Sequence, residues 1–370
     1  MKASCEVVKH NLQFHQDAAV FSVAGTWREG YLLVATAGGD GCVRLWKYID
    51  TPATFAQEFV YTTGAPAVAM THLKTLARHK GSVNSVRFNG EGSLLLSAGD
   101  GGAVYLWPVD DVLQGEHTEE DLVYTGTPIT VRESDNTDIY DVAWFNTEVL
   151  VGTSAGRVEV YALADKEASR TKHPERFRVL PDTGPRLKGK CLSTKRAHKD
   201  IVQGIAASSN VYATFGKDRS LKIFTKEGKM VRKFNKKSLI TDKHTLFFRR
   251  LAFSPDGSVL YVPSGWYSGE YAVHLLKAPE FLLSAGIGPF ASSPGNVLAT
   301  ESFLFVTEGR NVYLFSRGEQ HVCLLRVVDC AFLPITDLCL VTASPTTATL
   351  LVSSSDGFLT SLTVHLNKLE

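Results

Sequence analysis

A histidine, a hydroxyl and a carboxylate near one another in sequence are the raw material of acid–base catalysis or metal binding. This chain offers such a set in His198, Thr214 and Asp218. The spacing argues for another use. Asp218 stands six residues before Phe224, the aromatic that ends an apolar run, and Asp40 stands six residues before Trp46 in the same way. A spacing that returns along the chain belongs to a repeat rather than to one catalytic centre. Buried polar groups are tolerated where they bond one another. We therefore read Asp40, His198, Thr214 and Asp218 as scaffold, together with His79 and the strand-ending Trp46 and Trp107. In the copy ending at Trp107, Gly101 holds the Asp position and Asp100 comes one residue early, so its bonding set is expected to be incomplete.

Other chemistry is hard to find. There is no G-x-x-x-x-G-K-[ST] phosphate loop, no H-E-x-x-H and no G-x-S-x-G. His321 and Cys323 are the right types for metal ligands, but no second pair stands at ligand spacing. Gly38-Gly39 and Gly99 to Gly102 recur at one place in the repeat and read as turns. We expect no catalytic residue, no cofactor and no metal, and read the chain as not an enzyme.

The elements that carry these residues form a repeat. The clearest copy runs from His79 to Trp107. Val83 to Phe88 alternates with one slip, Asn89 to Gly92 turns, Leu94 to Ala98 is a mostly apolar strand, and Val104 to Trp107 closes the phrase. Similar phrases end at Trp46, Tyr161, Phe224, Leu275, Phe315 and Val364, with those at Tyr161 and Phe315 the most degenerate. Seven copies of a four-stranded unit predict an all-β, seven-bladed β-propeller. Ser4 to Lys9 lacks a partner of its own and is predicted to be the outer strand of the last blade, closing the ring. Residues 1–370 then form one domain, with long insertions near 51–75, 110–137, 162–197 and 226–247.

Composition fits this reading. Hydrophobic residues make up 44% and charged residues 21%, as in an ordinary globule. No apolar run is long enough for a signal peptide or a membrane span. Six cysteines without a C-x-x-C pair, and no N-x-[ST] sequon, indicate a reducing compartment, cytosol or nucleus.

Charge is uneven. Residues 166–250 hold 23 Lys and Arg against 7 Asp and Glu, in a chain whose net charge is +1. The basic arc includes Lys188, Lys190, Arg196, Lys199, Arg232, Lys233, Lys236 and Lys237, and suits phosphates or an acidic protein segment. A complementary acidic stretch runs from Asp110 to Asp141 with Arg132 as its sole basic residue. Its Asp110, Asp111, Glu119, Glu120 and Asp121 suit a basic partner. Phe248, Arg249 and Arg250 are a third candidate. Alternation along a strand should bring at least one of the arginines to solvent, and aromatics beside arginines are typical interface anchors. Trp266 and Tyr267, read as a loop after Gly265, fit the same description.

Particular phrases add a family resemblance. Cys5-Glu6 with His10-Asn11 precedes Val20 to Val23, and Leu76 to Lys80 precedes Val83 to Phe88. Val202-Gln203-Gly204 opens another copy. Phe247 to Ser258 reads FFRRLAFSPDGS, followed by Pro263-Ser264-Gly265, and Ser354 to Gly357 lies near the end. The chain resembles the WD40-type middle subunit of chromatin assembly factor 1 and is similar, less closely, to the histone regulator A proteins. The resemblance spans essentially the whole chain. It implies a WD40 propeller that is a nuclear, non-enzymatic subunit of a replication-coupled histone H3–H4 chaperone complex. It implies contact with the large subunit of that complex, with histones H3–H4 directly or through the complex, and with DNA. The family also carries a basic-apolar motif for the anti-silencing histone chaperone; that motif is not seen here. Two rivals stand beside this reading. One is a scaffold of another complex, such as a ubiquitin-ligase substrate receptor. The other is a propeller enzyme, which would converge acidic or histidine side chains on the central channel.

Overall fold

The structure, a computed structural model, describes residues 2–10, 14–49, 70–165, 187–235, 239, 247–318 and 320–367. Lys236 and Lys237 of the basic arc lie outside them. Seven four-stranded antiparallel sheets follow one another around an axis. Their inner strands begin at Val20, Val83, Ile139, Val202, Ala252, Val297 and Ile335.

Each sheet is apolar on both faces, because each face meets a neighbouring blade. In the strand Tyr31–Gly38, Leu32 and Val34 pack toward blade seven while Leu33 and Ala35 pack toward blade two. The core is accordingly divided into clusters at the blade interfaces. Leu96 and Val104 meet Val142 and Val151 between blades two and three, for example, and Phe303 and Leu314 meet Leu350 and Val364 between blades six and seven.

The ring closes with the first strand. Lys2–His10 pairs antiparallel with Leu359–Asn367, from Lys2 opposite Asn367 to His10 opposite Leu359. Blade seven therefore has sheet order Lys2–His10, Leu359–Asn367, Thr347–Ser354, Ile335–Ala343. The long stretches near 51–75, 110–137, 162–197 and 226–247 enclose the outer strands of blades one to four, Met70–Leu76, Ile129–Arg132, Leu187–Arg196 and Met230–Phe234.

Five inner strands share a defect that shapes the axis. Register shifts between Val20 and Ser22, Val83 and Ser85, Ile139 and Asp141, Val202 and Gly204, and Ile335 and Asp337. A β-bulge inserts one residue and re-aims its neighbours. Each bulge lies near the connector from the previous blade, at what we term the connector face. The ends of the inner strands mark the opposite face.

Candidate interaction surfaces around the axis

The polar sets inside the blades are structural. In blade one, Trp46 Nε1 donates to Thr36 Oγ1 at 2.9 Å, and His15 joins Thr36 at 2.9 Å to Asp40 at 2.7 Å. Blade four repeats this with Thr214, His198 and Asp218, at 2.9 and 3.1 Å, and Phe224 in place of the indole. Burial alone would raise the Asp40 and Asp218 carboxyls, but His15 with Arg44, and His198 with Ser220, hold them well below the usual range. In blade two, Trp107 donates to Ser97 and Ser97 meets His79 at 2.8 Å, but His79 Nδ1 finds no partner among the described residues. Asp100 instead accepts a bond from Asn84. The degenerate blades three and six substitute a different pair, with Tyr161 donating to Glu159 at 2.9 Å and Tyr313 to Glu308 at 2.6 Å. Sequence reading missed His15. The signal was available, since Thr36 lies ten residues before Trp46 as Thr214 does before Phe224.

Phe248, Arg249 and Arg250 are a correction. They are 5%, 3% and 4% exposed, so none meets a partner directly. The alternation argument failed because both arginines precede the inner strand Ala252–Phe253 and sit in the connector, where the chain passes under the ring's own aromatics. Arg249 lies over the Phe215 ring and bonds Gln203 and Ser264. Arg250 crosses the axis. It pairs with Asp141 at 2.6 Å and Asp337 at 3.1 Å, and donates to the carbonyls of Phe21, Asn84 and Thr336. Arg87 completes the cluster, 2.9 Å from Asp337 and 3.5 Å from Asp141. Ser22 and Ser85 each donate to one carboxylate, at 2.7 and 2.9 Å. Burial pulls the Arg250 guanidinium below its ordinary value. Burial would raise the Asp337 carboxyl, but Arg250 and Arg87 hold it low.

Two carboxylates thus do converge on the axis, and the channel is not apolar. Both are matched by arginines and fixed by serines, which leaves a neutral plug and no free general base. On the opposite face a cavity of about 560 Å³ runs up to Arg87, Asp141 and Arg250 between the inner strands of blades two to six.

Trp266 and Tyr267 also differ from expectation. They are not a loop but the end of the strand Val259–Tyr267, paired with Tyr271 and Glu270. The turn falls at Ser268-Gly269, where φ is 52° and 90° and a glycine or small polar residue is needed. Tyr267 remains exposed; Trp266 is half-buried against Tyr271 at 5.1 Å.

The basic residues gather on the rim of blades three and four. Lys188, Lys190 and Arg196 lie exposed on the outer strand Leu187–Arg196. Lys199 follows in the connector, and with Lys217, Arg219, Lys222 and Lys233 it lines a concavity of about 650 Å³. Burial and then the charge of Lys233 lower the Lys222 amine. Arg232 is partly committed, donating to the Glu280 carbonyl of blade five. The acidic residues do not form one surface. Asp110 and Asp111 sit on the short helix Val109–Gln114 at the opposite face, with Asp110 2.9 Å from Arg28. Glu119, Glu120 and Asp121 are exposed on a flank beside blade one, where Val123 bridges Thr75 and Asp121 lies 3.4 Å from Arg44. Asp141 is buried in the axis.

The model of the WD domain, G-beta repeat, matches residues 6–47 and 70–108. A solved propeller, the WD40 β-propeller domain of Doa1, superposes with a TM-score of 0.62 over 96% of this chain and 95% of that one, at 16% identity, which speaks to the fold alone. A subunit of chromatin assembly factor 1 from Saccharomyces cerevisiae is 26% identical over 94% of this chain and 83% of its own length. Its namesakes from Gallus gallus and Mus musculus are 30% and 28% identical over 64% and 72% of this chain. Protein HIR1 of Kluyveromyces lactis is 27% identical over 62%. The chain belongs to the WD40 family that holds this chromatin assembly factor 1 subunit and HIR1. It spans less than half the length of the mouse and chicken relatives, 45% and 40%. Repeats and family together point to a scaffold rather than an enzyme.

Proposed function

We propose that this propeller is a non-enzymatic, nuclear scaffold subunit of a complex that deposits histones H3–H4 during replication-coupled nucleosome assembly. The observation that carries the proposal is its similarity, along 94% of the chain, to the yeast subunit of chromatin assembly factor 1. The charge layout supports it. The basic rim of blades three and four is suited to an acidic segment of the large subunit, with DNA phosphates as a second ligand of like charge. The acidic flank at Glu119, Glu120 and Asp121 is suited to histone. The anti-silencing chaperone is a further partner to look for.

Affinity purification from nuclear extract at two salt concentrations, read by mass spectrometry, tests the whole reading. Recovery of a large subunit with H3 and H4 supports it, and their loss at high salt would mark charge-driven contacts. Recovery of an unrelated complex, such as a ubiquitin ligase, with no histone at either salt would overturn it. For the basic rim, Arg232, Lys233, Lys236 and Lys237 are changed together to Glu. Loss of the large subunit in a pulldown is expected; unchanged binding of both the large subunit and DNA would sink that assignment.

A further inference from the structure

At the connector face the axis ends in aromatic rings. Phe248 lies over the Arg250 guanidinium, 4.8 Å away. Its ring centre is 5.8 Å from Phe21, 6.4 Å from Tyr140 and 6.5 Å from Phe247. Phe21 and Tyr140 are bulge residues of blades one and three, which is why their side chains reach the mouth rather than a blade interface. Phe247 is the outermost ring and is 61% exposed. Its backbone is tied down, because its carbonyl accepts a bond from Gln203 Nε2 at 3.3 Å and Arg249 N bonds the Gln203 carbonyl at 3.1 Å. A large aromatic held in water on an anchored backbone is an interface feature rather than a folding one.

The surroundings select the occupant. Asp100, Asp138 and Asp200 all act on the Tyr140 phenol, whose proton is held more tightly by burial and by these charges. Asp100 is fixed by Asn84 at 2.9 Å and Asp138 by the Gly101 N–H at 3.0 Å. The arginines below, Arg87 and Arg250, are already matched by Asp141 and Asp337. Lys199 and Lys217 lie beyond Asp200, in the blade-four concavity.

We propose that this mouth takes a lysine or arginine side chain from an extended peptide segment. The alkyl stem lies along Phe247, and the cation sits on the ring faces of Phe247 and Tyr140, directed at Asp100 and Asp138. The molecule already makes this pairing once, with Arg250 on Phe248. An acidic or wholly apolar segment would leave the carboxylates desolvated and unmatched. The inference does not depend on which complex the chain joins.

The full chain is titrated, by fluorescence polarisation, with labelled Gly/Ser decapeptides whose two central residues are Arg, Lys, Leu or Glu. The Arg and Lys peptides are expected to bind in preference to the other two. Phe247→Ala should weaken them roughly five-fold, as should the pair Asp100→Asn with Asp138→Asn. The pair Glu119→Gln with Glu120→Gln, on the other acidic surface, should leave binding unchanged. Phe247 is exposed, so its variant keeps the fold and carries the test alone if the aspartate pair does not. No binding of either basic peptide, equal binding of all four, wild-type affinity in Phe247→Ala, or loss in the Glu119/Glu120 variant instead would each overturn the proposal.

Discussion

Arg250 reaches blades one, two, three and seven from the connector between blades four and five. Removing its charge strands two buried carboxylates with only Arg87 to face them. Arg250→Met is expected to lower the unfolding free energy by about 3–5 kcal/mol in urea titrations. Adding Asp337→Asn to Arg250→Met should return part of that loss, because one unmatched charge goes with it. Two histidines make a different kind of residue-scale prediction. Burial pushes His10 and His79 down to about 4 from 6.5. The unfolded chain therefore takes up protons below pH 6.5 that the folded chain refuses. Stability is flat with respect to these groups above 6.5, falls between 6.5 and about 4, and levels off below. Each contributes about 3 kcal/mol to the fall. Urea midpoints at pH 7.5 and pH 5 measure it, and His79→Gln should flatten part of the slope.

At the scale of elements, the inner three strands of each blade were readable because both faces are apolar, and a two-faced apolar strand is a run that sequence shows directly. The one slip in Val83 to Phe88 is the bulge at Asn84. The outer strands were not readable. Leu187–Arg196 is an edge whose residues are mostly exposed, and its lysines protect it from pairing without any apolar alternation. The axial cluster was illegible for a related reason. Arg87, Asp141, Arg250 and Asp337 come from four separate blade beginnings and meet only after closure. Phe247 stands in the FFRRLAFSPDG phrase, but nothing in sequence distinguishes it from the buried Phe248 beside it. Gly204 was legible as a motif residue, and the structure gives it a reason: a Cβ there would collide with the Arg249 carbonyl. Gly204→Ala should therefore displace the connector that positions Arg249 and Arg250. A loss of about 2 kcal/mol is expected, measured as a drop in thermal midpoint.

For the whole molecule, the ring is held at one seam. His10 bonds Ser361 at 2.5 Å across 351 residues of chain, and Ala3 and Cys5 pack on the cluster shared by blades six and seven. Deleting residues 1–10 should leave Leu359–Asn367 as an open edge. The expected outcome is a lower unfolding temperature by calorimetry and concentration-dependent light scattering from edge-to-edge pairing.

That seam also sets an order of events in synthesis. The first strand of the ring to leave the ribosome is the last to find its place, because its partner is the last strand of the ring to be made. Until then Lys2–His10 is an unpaired strand trailing six blades that cannot lock. A chain halted in blade six presents two raw edges where the finished ring presents none, and so advertises its own incompleteness to the machinery that clears unfinished chains. Once the ring is shut, Lys2 stands opposite Asn367. The two ends of the ring then leave from one point on the rim of blade seven, and a probe on either reports from the same place.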